Sequence, residues 1–211
     1  MTKNTQNYKT GQIRIDNQKI ILQAAVEEFA QLGFNGASMT SIAKRAELPR
    51  PNLHYYFSNK LELYQQVLMD ILELWNAAFD EVSIDDDPAE AIGNYIHAKV
   101  MYSKTNPLSS KIFAAEIIHG GPNLSNFLNK DYRQWLQEKS TIIEQWSAQG
   151  KMDPVDPYHL IFMIWSATQY YADFSVQIDT IMEQPSLDDS QYQDVAASIK
   201  SIILKGCGIG N

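Results

Sequence analysis

Apolar residues recur at helical spacing along almost the whole chain. Ile20, Ala24, Ala25, Phe29 and Leu32 return every three to five positions, the signature of one buried helix face, with Asp16 placed to cap the helix and Gly33 to stop it. Ser38 opens a short second helix whose inward side is Ile42, Ala43 and Ala46. Pro49 and Pro51 stand where a third can begin, because proline suits a first helical turn and not an interior. Asn59 and Glu62 have the spacing of a capping box, and the stripe Leu61, Tyr64, Leu68, Ile71, Leu72, Trp75 and Phe79 predicts one long helix after them.

The remainder repeats one punctuation. Asp87-Pro88, Asn106-Pro107 and Asp156-Pro157 each set a capping residue before a first-turn proline, while Gly120-Gly121-Pro122 and Gly150 mark helix ends. Helices are expected from these signals over 123–149, from Asp156 to about Ile178, and near Asp188–Lys205. No stretch alternates with period two for long enough to be a strand. The pattern predicts an all-α chain of about nine helices without internal repeats.

The corner between the second and third helices suits a helix-turn-helix, whose second helix can enter the DNA major groove. Here Ile42-Ala43-Lys44-Arg45-Ala46, followed by Leu53-His54-Tyr55-Tyr56-Phe57-Ser58-Asn59-Lys60, resembles the signature of the TetR family of ligand-responsive DNA-binding regulators. Two positions depart from it: Glu47 stands where the family usually has a corner glycine, and Pro49 where it usually has a Ser or Thr cap. The resemblance implies a flexible basic arm over 1–15, an N-terminal three-helix helix-turn-helix DNA-binding domain over 16–60, and a C-terminal helical ligand-binding and dimerisation domain over 61–211.

Charge fits that division. The net charge of −8 is wrong for a DNA binder until it is split: residues 1–60 hold eight Lys/Arg against four acids, net +4, and 61–211 hold nine against twenty-one, net −12. Phosphate contact is thereby confined to one end. There is no run of eighteen apolar residues to span a membrane, and Met1 to Gly11 lacks the apolar centre of a signal peptide. The lone Cys207 has no disulfide partner in its own chain, which fits a reducing cytoplasm.

Arg50 and Asn52 are the expected base-edge readers, arginine favouring guanine and asparagine adenine. His54 and Tyr55 can add phosphate or base contacts, and Thr40, Lys44 and Arg45 are candidates for the DNA backbone. Lys60 resembles the family's phosphate-binding lysine at a helix N-terminus, and the arm around Lys9 and Arg14 is a candidate for a minor groove. A module this small reads too few bases alone, so a two-fold dimer on a palindromic operator is expected. Leu160, Met163, Ile164 and Ala167, with Val195, Ile199, Ile202 and Ile203, form two apolar stripes that can build a four-helix dimer interface; packing within one chain is the alternative use of the same residues.

Trp165, Gln169 and Asp173 fall on one helix stripe, and an indole, an amide and a carboxylate together suit a flat ligand with polar edges. The run His159 to Phe174, with Leu72-Glu73-Leu74-Trp75, resembles the pyrimidine-utilisation subgroup of the family, whose members bind uracil or thymine. On that resemblance Trp75, Trp165 and Tyr170 would sandwich the ring, Gln169 would match its alternating donors and acceptors, and Glu116 or Asp173 would accept an N–H. For each of these the alternative is a packed aromatic core with Gln169 bonded internally. No cofactor or metal is expected: Asp85-Asp86-Asp87 lacks the spacing of a calcium loop, and His54 lacks partners at ligand spacing. An enzyme is not expected either, since Gly-rich phosphate loops and nucleophile elbows are missing. The rival readings are a regulator of the same type sensing another aromatic or lipophilic compound, and a ligand-independent DNA-architectural protein.

Overall fold

Ser38, Asp87 and Asp156 cap helices where the pattern places them, whereas Asn106 precedes its helix without a side-chain capping bond. The protein, seen in a computed structural model, is described over residues 3–209, with side chains described from residue 12 except at 126. Among the described residues the structure is all-helical, without a strand. Two compact units emerge, Met1–Asp70 and Ile71–Asn211, so the first extends beyond the expected boundary at residue 60.

In the first unit α1 is Lys3–Gly36, α2 Met39–Arg45 and α3 Arg50–Tyr56, followed by the first half of α4, Lys60–Asp80. The backbone leaves helical geometry at Gly33 (φ 66°, ψ 176°), where only a residue without a Cβ is comfortable. The buried face of α1 is Ile21, Ala24, Ala25, Glu28 and Phe29, whereas Ile20 and Leu32 of the expected stripe are about half exposed. Asp16 does not cap α1 either. It takes a hydrogen bond from Gln12 Nε2 (2.9 Å), the i,i+4 pairing of a helix interior, and the helix continues back to Lys3 through the segment expected as a flexible arm.

Ser38 caps α2 in a reciprocal box with Ser41 (3.0 and 3.1 Å). The box expected at α4 is offset by one residue: Asn59 Oδ1 takes the Glu62 amide (3.0 Å), but Glu62 Oε2 takes that of Ser58 (2.8 Å). Tyr64 on α4 packs edge-on against Phe29 (4.8 Å) and beside Phe34 (4.9 Å). That aromatic contact is why the first turns of α4 belong with the head.

The second unit is built around α5, Pro88–Thr105, capped by Asp87 through the Ala89 amide (2.8 Å). Next come α6, Pro107–Ile118; the short α7, Ser125–Phe127; a π-helical turn, Leu128–Tyr132; and α8, Arg133–Ala148. Asp156 and a capping box of Asp188 with Gln191 open α9, Pro157–Asp173, and α11, Asp189–Gly206. Between them the expected long helix breaks at Phe174 and resumes as α10, Ser175–Ile181. The π turn and this break supply the short segments beyond the nine helices expected. Phe79, Ile92, Tyr95, Ile96, Trp146, Ile161, Ile164 and Ile203 form the core. No helix among the described residues is long and apolar enough to cross a membrane.

Glu47, at the helix-turn-helix corner, has φ 53°. A left-handed conformation costs a residue with a Cβ about 1–2 kcal/mol, partly offset when glycine loosens the unfolded chain. Glu47→Gly should therefore raise the stability of the head by about 0.5–1 kcal/mol, read as a higher urea midpoint at unchanged m. An unchanged or lower midpoint would mean that the corner carries no strain.

Candidate functional site

The helix-turn-helix presents a polar surface. In α3 only Leu53 is buried, at 0% exposure, leaving Arg50, Asn52, His54 and Tyr55 on the outside. Tyr55 is 69% exposed, with the Arg14 guanidinium 5.8 Å above its ring. His54 Nδ1 lies 3.3 Å from the Ser58 carbonyl. Thr40 and Lys44 on α2 are exposed as well. These six residues of the expected reading surface are therefore accessible, as is Arg14; the side chain of Lys9 lies outside the described residues.

Arg45 and Lys60 are instead engaged inside the head. Arg45 hydrogen-bonds Glu28 through Nε and Nη2 (3.1 and 3.0 Å), Glu27 through Nη1 (3.2 Å) and Gln31 (3.2 Å), fastening α2 to α1. The neighbouring Ser41 hydroxyl, together with Arg45, holds the buried Glu28 carboxyl below the usual carboxylate range despite its burial. The ammonium of Lys60 donates to the carbonyls of Phe34 (2.7 Å), Ala37 (2.9 Å) and Asn35 (3.4 Å) and lies 4.6 Å over the Phe34 ring. It closes the turn from α1 to α2. All three donors of the ammonium thereby face carbonyls within the head.

In the second unit the expected ligand stripe divides. Gln169 and Asp173 line a cavity of about 410 Å³ between α6 and α9, walled by Phe113, Ile117 and Phe174. Trp165 lines a different cavity, of about 530 Å³, with Tyr132, Arg133 and Phe162. Its indole N–H donates to the Tyr95 hydroxyl (2.7 Å), and its ring stacks on Tyr132 (5.4 Å). The stripe splits along the helix axis: at about 1.5 Å per residue Trp165 stands about 6 Å from Gln169, so it meets the π turn and α8 while the later positions meet α6.

Trp75 is 3% exposed and packs edge-on against Phe113 (4.9 Å) and Tyr102 (6.0 Å), one ring behind the α6–α9 cavity. Glu116 is 5% exposed and accepts from the Asn123 amide (2.7 Å) and side chain (3.1 Å), tying down the loop after α6. Tyr170 stacks on Phe174 (4.9 Å) and donates to Gln177 (3.0 Å), bracing the start of α10. Gln169 makes no hydrogen bond to the described residues, unlike the internally bonded alternative. Asp173 accepts from the Ser110 hydroxyl (2.5 Å), and burial pushes its carboxyl up.

Sequence reasoning missed Lys99, 3% exposed on α5 with its ammonium 4.4 Å over the Trp75 ring. The signal was present: Ile92, Tyr95, Ile96, Lys99, Val100 and Ser103 share one buried stripe, so a lysine sits where the period demands an apolar residue.

Of the expected dimer residues, Leu160, Ile164, Ile199 and Ile203 belong to the core of the single chain. Met163 and Ile202 are 57% and 71% exposed. They edge a groove of about 420 Å³ between α9 and α11, whose floor is the buried Leu160, Ile203 and Cys207. Val195 and Ala167 are partly buried against the core. The two helices thus face inward on one side and offer an apolar edge on the other.

Residues 21–67 match the family model described as bacterial regulatory proteins, tetR family, and residues 68–210 match the C-terminal region of YcdC-like proteins. The chain is 38% identical over 189 residues to the HTH-type transcriptional regulator RutR of Escherichia coli (strain K12), covering 90% of this chain and 89% of that one. It is 26% identical to the HTH-type transcriptional repressor NicS of Pseudomonas putida, over 88% of this chain and 90% of that one. Among solved structures, a regulatory protein of the tetR family from Rhodococcus RHA1 superposes with a TM-score of 0.68 at 19% identity, covering 92% of this chain and 98% of that one. The ketosteroid transcriptional regulator KstR2 of Mycobacterium tuberculosis does so at 0.65 and 17%, over 90% and 94%.

The head's geometry separates two kinds of cation. Arg50→Ala should weaken operator binding by about 1–3 kcal/mol, the value of a good base contact, without changing the melting temperature. Lys60→Met should lower stability by about 1–3 kcal/mol, because it leaves buried carbonyls unpaired. Fluorescence anisotropy on operator DNA and thermal melts of both variants check this. A Lys60→Met protein that melts normally but loses DNA affinity would return Lys60 to phosphate binding.

Proposed function

Since the chain belongs to the TetR family of transcriptional regulators, we propose that it is a cytoplasmic repressor, dimeric on a palindromic operator, released by a small pyrimidine such as uracil or thymine. The observation that carries the effector is the pairing of Gln169 and Asp173 on the wall of the α6–α9 cavity. Gln169 offers an amide without an internal partner, able to give and accept one hydrogen bond each. Asp173 offers a half-buried carboxyl for a ring N–H. Uracil alternates N–H donors and carbonyl acceptors around its edge, so it can answer both groups. The resemblance to the pyrimidine-utilisation subgroup, carried by the same helix, supports this effector.

DNA contact is assigned to Arg50, Asn52, His54, Tyr55, Thr40 and Lys44, with Arg14 beside Tyr55. Dimerisation is assigned to the exposed edge of α9 and α11 around Met163 and Ile202. The link between effector and operator is α4, a single helix from Lys60, which holds the turn of the head, to Trp75, one ring from the cavity. Moving a dimer from mostly bound to mostly free takes about 3–5 kcal/mol of differential effector affinity, which a buried base with satisfied hydrogen bonds can supply.

A second reading is favoured by the predominantly apolar lining, which includes Phe113, Ile117, Ile118 and Phe174. On that reading the effector is a larger aromatic or lipophilic compound, and Gln169 is incidental.

A tryptophan-fluorescence titration with uracil, thymine and cytosine separates the two. Saturable quenching by uracil or thymine, much weaker with cytosine and lost in Gln169→Ala, is expected. Absence of binding by both fluorescence and calorimetry would transfer the cavity to the lipophilic reading and leave the family assignment intact.

A further inference from the structure

The buried and half-buried ammonium groups of this protein are elsewhere brought to oxygen, Lys104 to the Asp189 carboxylate (2.7 Å), Lys111 to the Ser175 hydroxyl (3.1 Å) and others to backbone carbonyls. Lys60 meets three of them at the end of α1. Lys139 donates to the carbonyl of Asp80 (2.5 Å), and even the exposed Lys151 to those of Ile84 (2.8 Å) and Asp86 (3.2 Å). Lys99 breaks the rule. It is 3% exposed, yet among the described residues no acceptor takes a hydrogen bond from its ammonium and no carboxylate lies within 4.0 Å. Two aromatic faces hold it instead, Trp75 at 4.4 Å and Tyr95 at 5.8 Å.

Ring faces attract a cation but do not satisfy its N–H donors. A buried donor without an acceptor is costly, and burial accordingly pulls the Lys99 amine down to about 7. The charge that opposes this is Asp173 on α9, which lines the α6–α9 cavity beside Gln169. Trp75, under the ammonium, is in edge contact with Phe113 of the same cavity wall. Gln169 and Asp173 therefore line that cavity, Lys99 stands behind its wall with its charge felt at Asp173, and neither Lys99 nor Gln169 makes a hydrogen bond among the described residues.

We propose that Lys99 is the specificity-determining donor of the effector site: a planar ring carrying a carbonyl, or its imide anion, places that oxygen against the Lys99 ammonium while its other edge meets Gln169. This rests on the pyrimidine reading and deepens it by assigning the discrimination to one residue. A ring with an amino group at that position sets donor against donor and is rejected. An oxygen that accepts from the ammonium favours the charged amine, so it raises the amine's proton affinity in the complex. Binding then takes up a proton wherever the empty site holds neutral amine, and affinity falls as the pH rises through about 7. The groups facing Lys99 are Tyr95 on α5, Trp75 on α4 and Asp173 on α9, the last also under the influence of Lys111 on α6; Lys200 of α11 lies against Gly93, further along α5.

The test is calorimetric titration of the full-length protein with uracil across about pH 6 to 9, on the wild type, Lys99→Met and Lys99→Gln, each checked by a thermal melt. Lys99→Met should melt at the wild-type temperature or above it, since an unpaired buried charge is replaced by an apolar chain. Its uracil affinity should fall by about 10- to 100-fold, the effect of losing one buried hydrogen bond to a charged group, and its pH profile should be flat. Lys99→Gln keeps a neutral donor, so it should retain part of the affinity with an equally flat profile, and it decides the matter should the Met variant fail to melt cooperatively. Wild-type affinity and pH profile in both variants would overturn the assignment. Xanthine, a larger planar imide, separates this inference from the pyrimidine reading. Lys99-dependent binding of xanthine without uracil would end the pyrimidine reading and keep Lys99 as the donor. Binding of neither ring would overturn both.

Discussion

A lysine ammonium among packed helices costs free energy unless its donors find oxygen, and that constraint acts in both units. In the head, Lys60 reaches back from the first residue of α4 to the carbonyls released where α1 breaks at Gly33. Those carbonyls are the unsatisfied end of a helix. One side chain thus satisfies them, closes the turn into α2 and fixes the start of α4. In the second unit Lys139 does the same for the end of α4 at Asp80, and Lys151 for the loop that follows. Each end of α4 is therefore held by a cation bonded to backbone carbonyls.

The same constraint gives the sensor its selectivity. Core positions of α5 are apolar except at Lys99 and Ser103; Ser103 donates to the Thr168 carbonyl (2.9 Å), while Lys99 has only ring faces. An empty site that leaves a donor unsatisfied binds whatever supplies an acceptor of the right shape. Of the cavity's polar lining, Asp173 is fixed by a bond of its own, from the Ser110 hydroxyl. A ring that enters meets that carboxylate already in place.

Much of this was legible in the amino-acid order. Caps at Ser38, Asp87 and Asp156 and the stop at Gly33 are local chemistry, and each acts where the pattern places it. The helix-turn-helix could be read because its exposed polar residues and buried Leu53 alternate within a single short helix. Three features could not. Periodicity alone does not distinguish Ile20 from Ile21 as the buried residue, because two adjacent isoleucines lie on either side of the same helix seam. The break at Phe174 carries no proline or glycine, so nothing local announces it. And the direction of long cationic side chains is a tertiary matter: Arg45 and Lys60 look like DNA contacts in sequence, yet turn inward to Glu28 and to the carbonyls of Phe34 and Ala37. The stripe of Trp165, Gln169 and Asp173 was real as a helix face, but its members look into two cavities.

The central claim is that occupancy of the α6–α9 cavity and the grip of α3 on DNA are two ends of one equilibrium. It is tested most directly by measuring operator affinity by anisotropy at zero and saturating uracil, in the wild type and in Gln169→Ala. The account predicts that saturating uracil weakens wild-type operator binding by at least about 100-fold, in line with the differential affinity such a switch needs, and leaves the variant unmoved. Uracil that binds the wild type without altering its operator affinity would contradict the account.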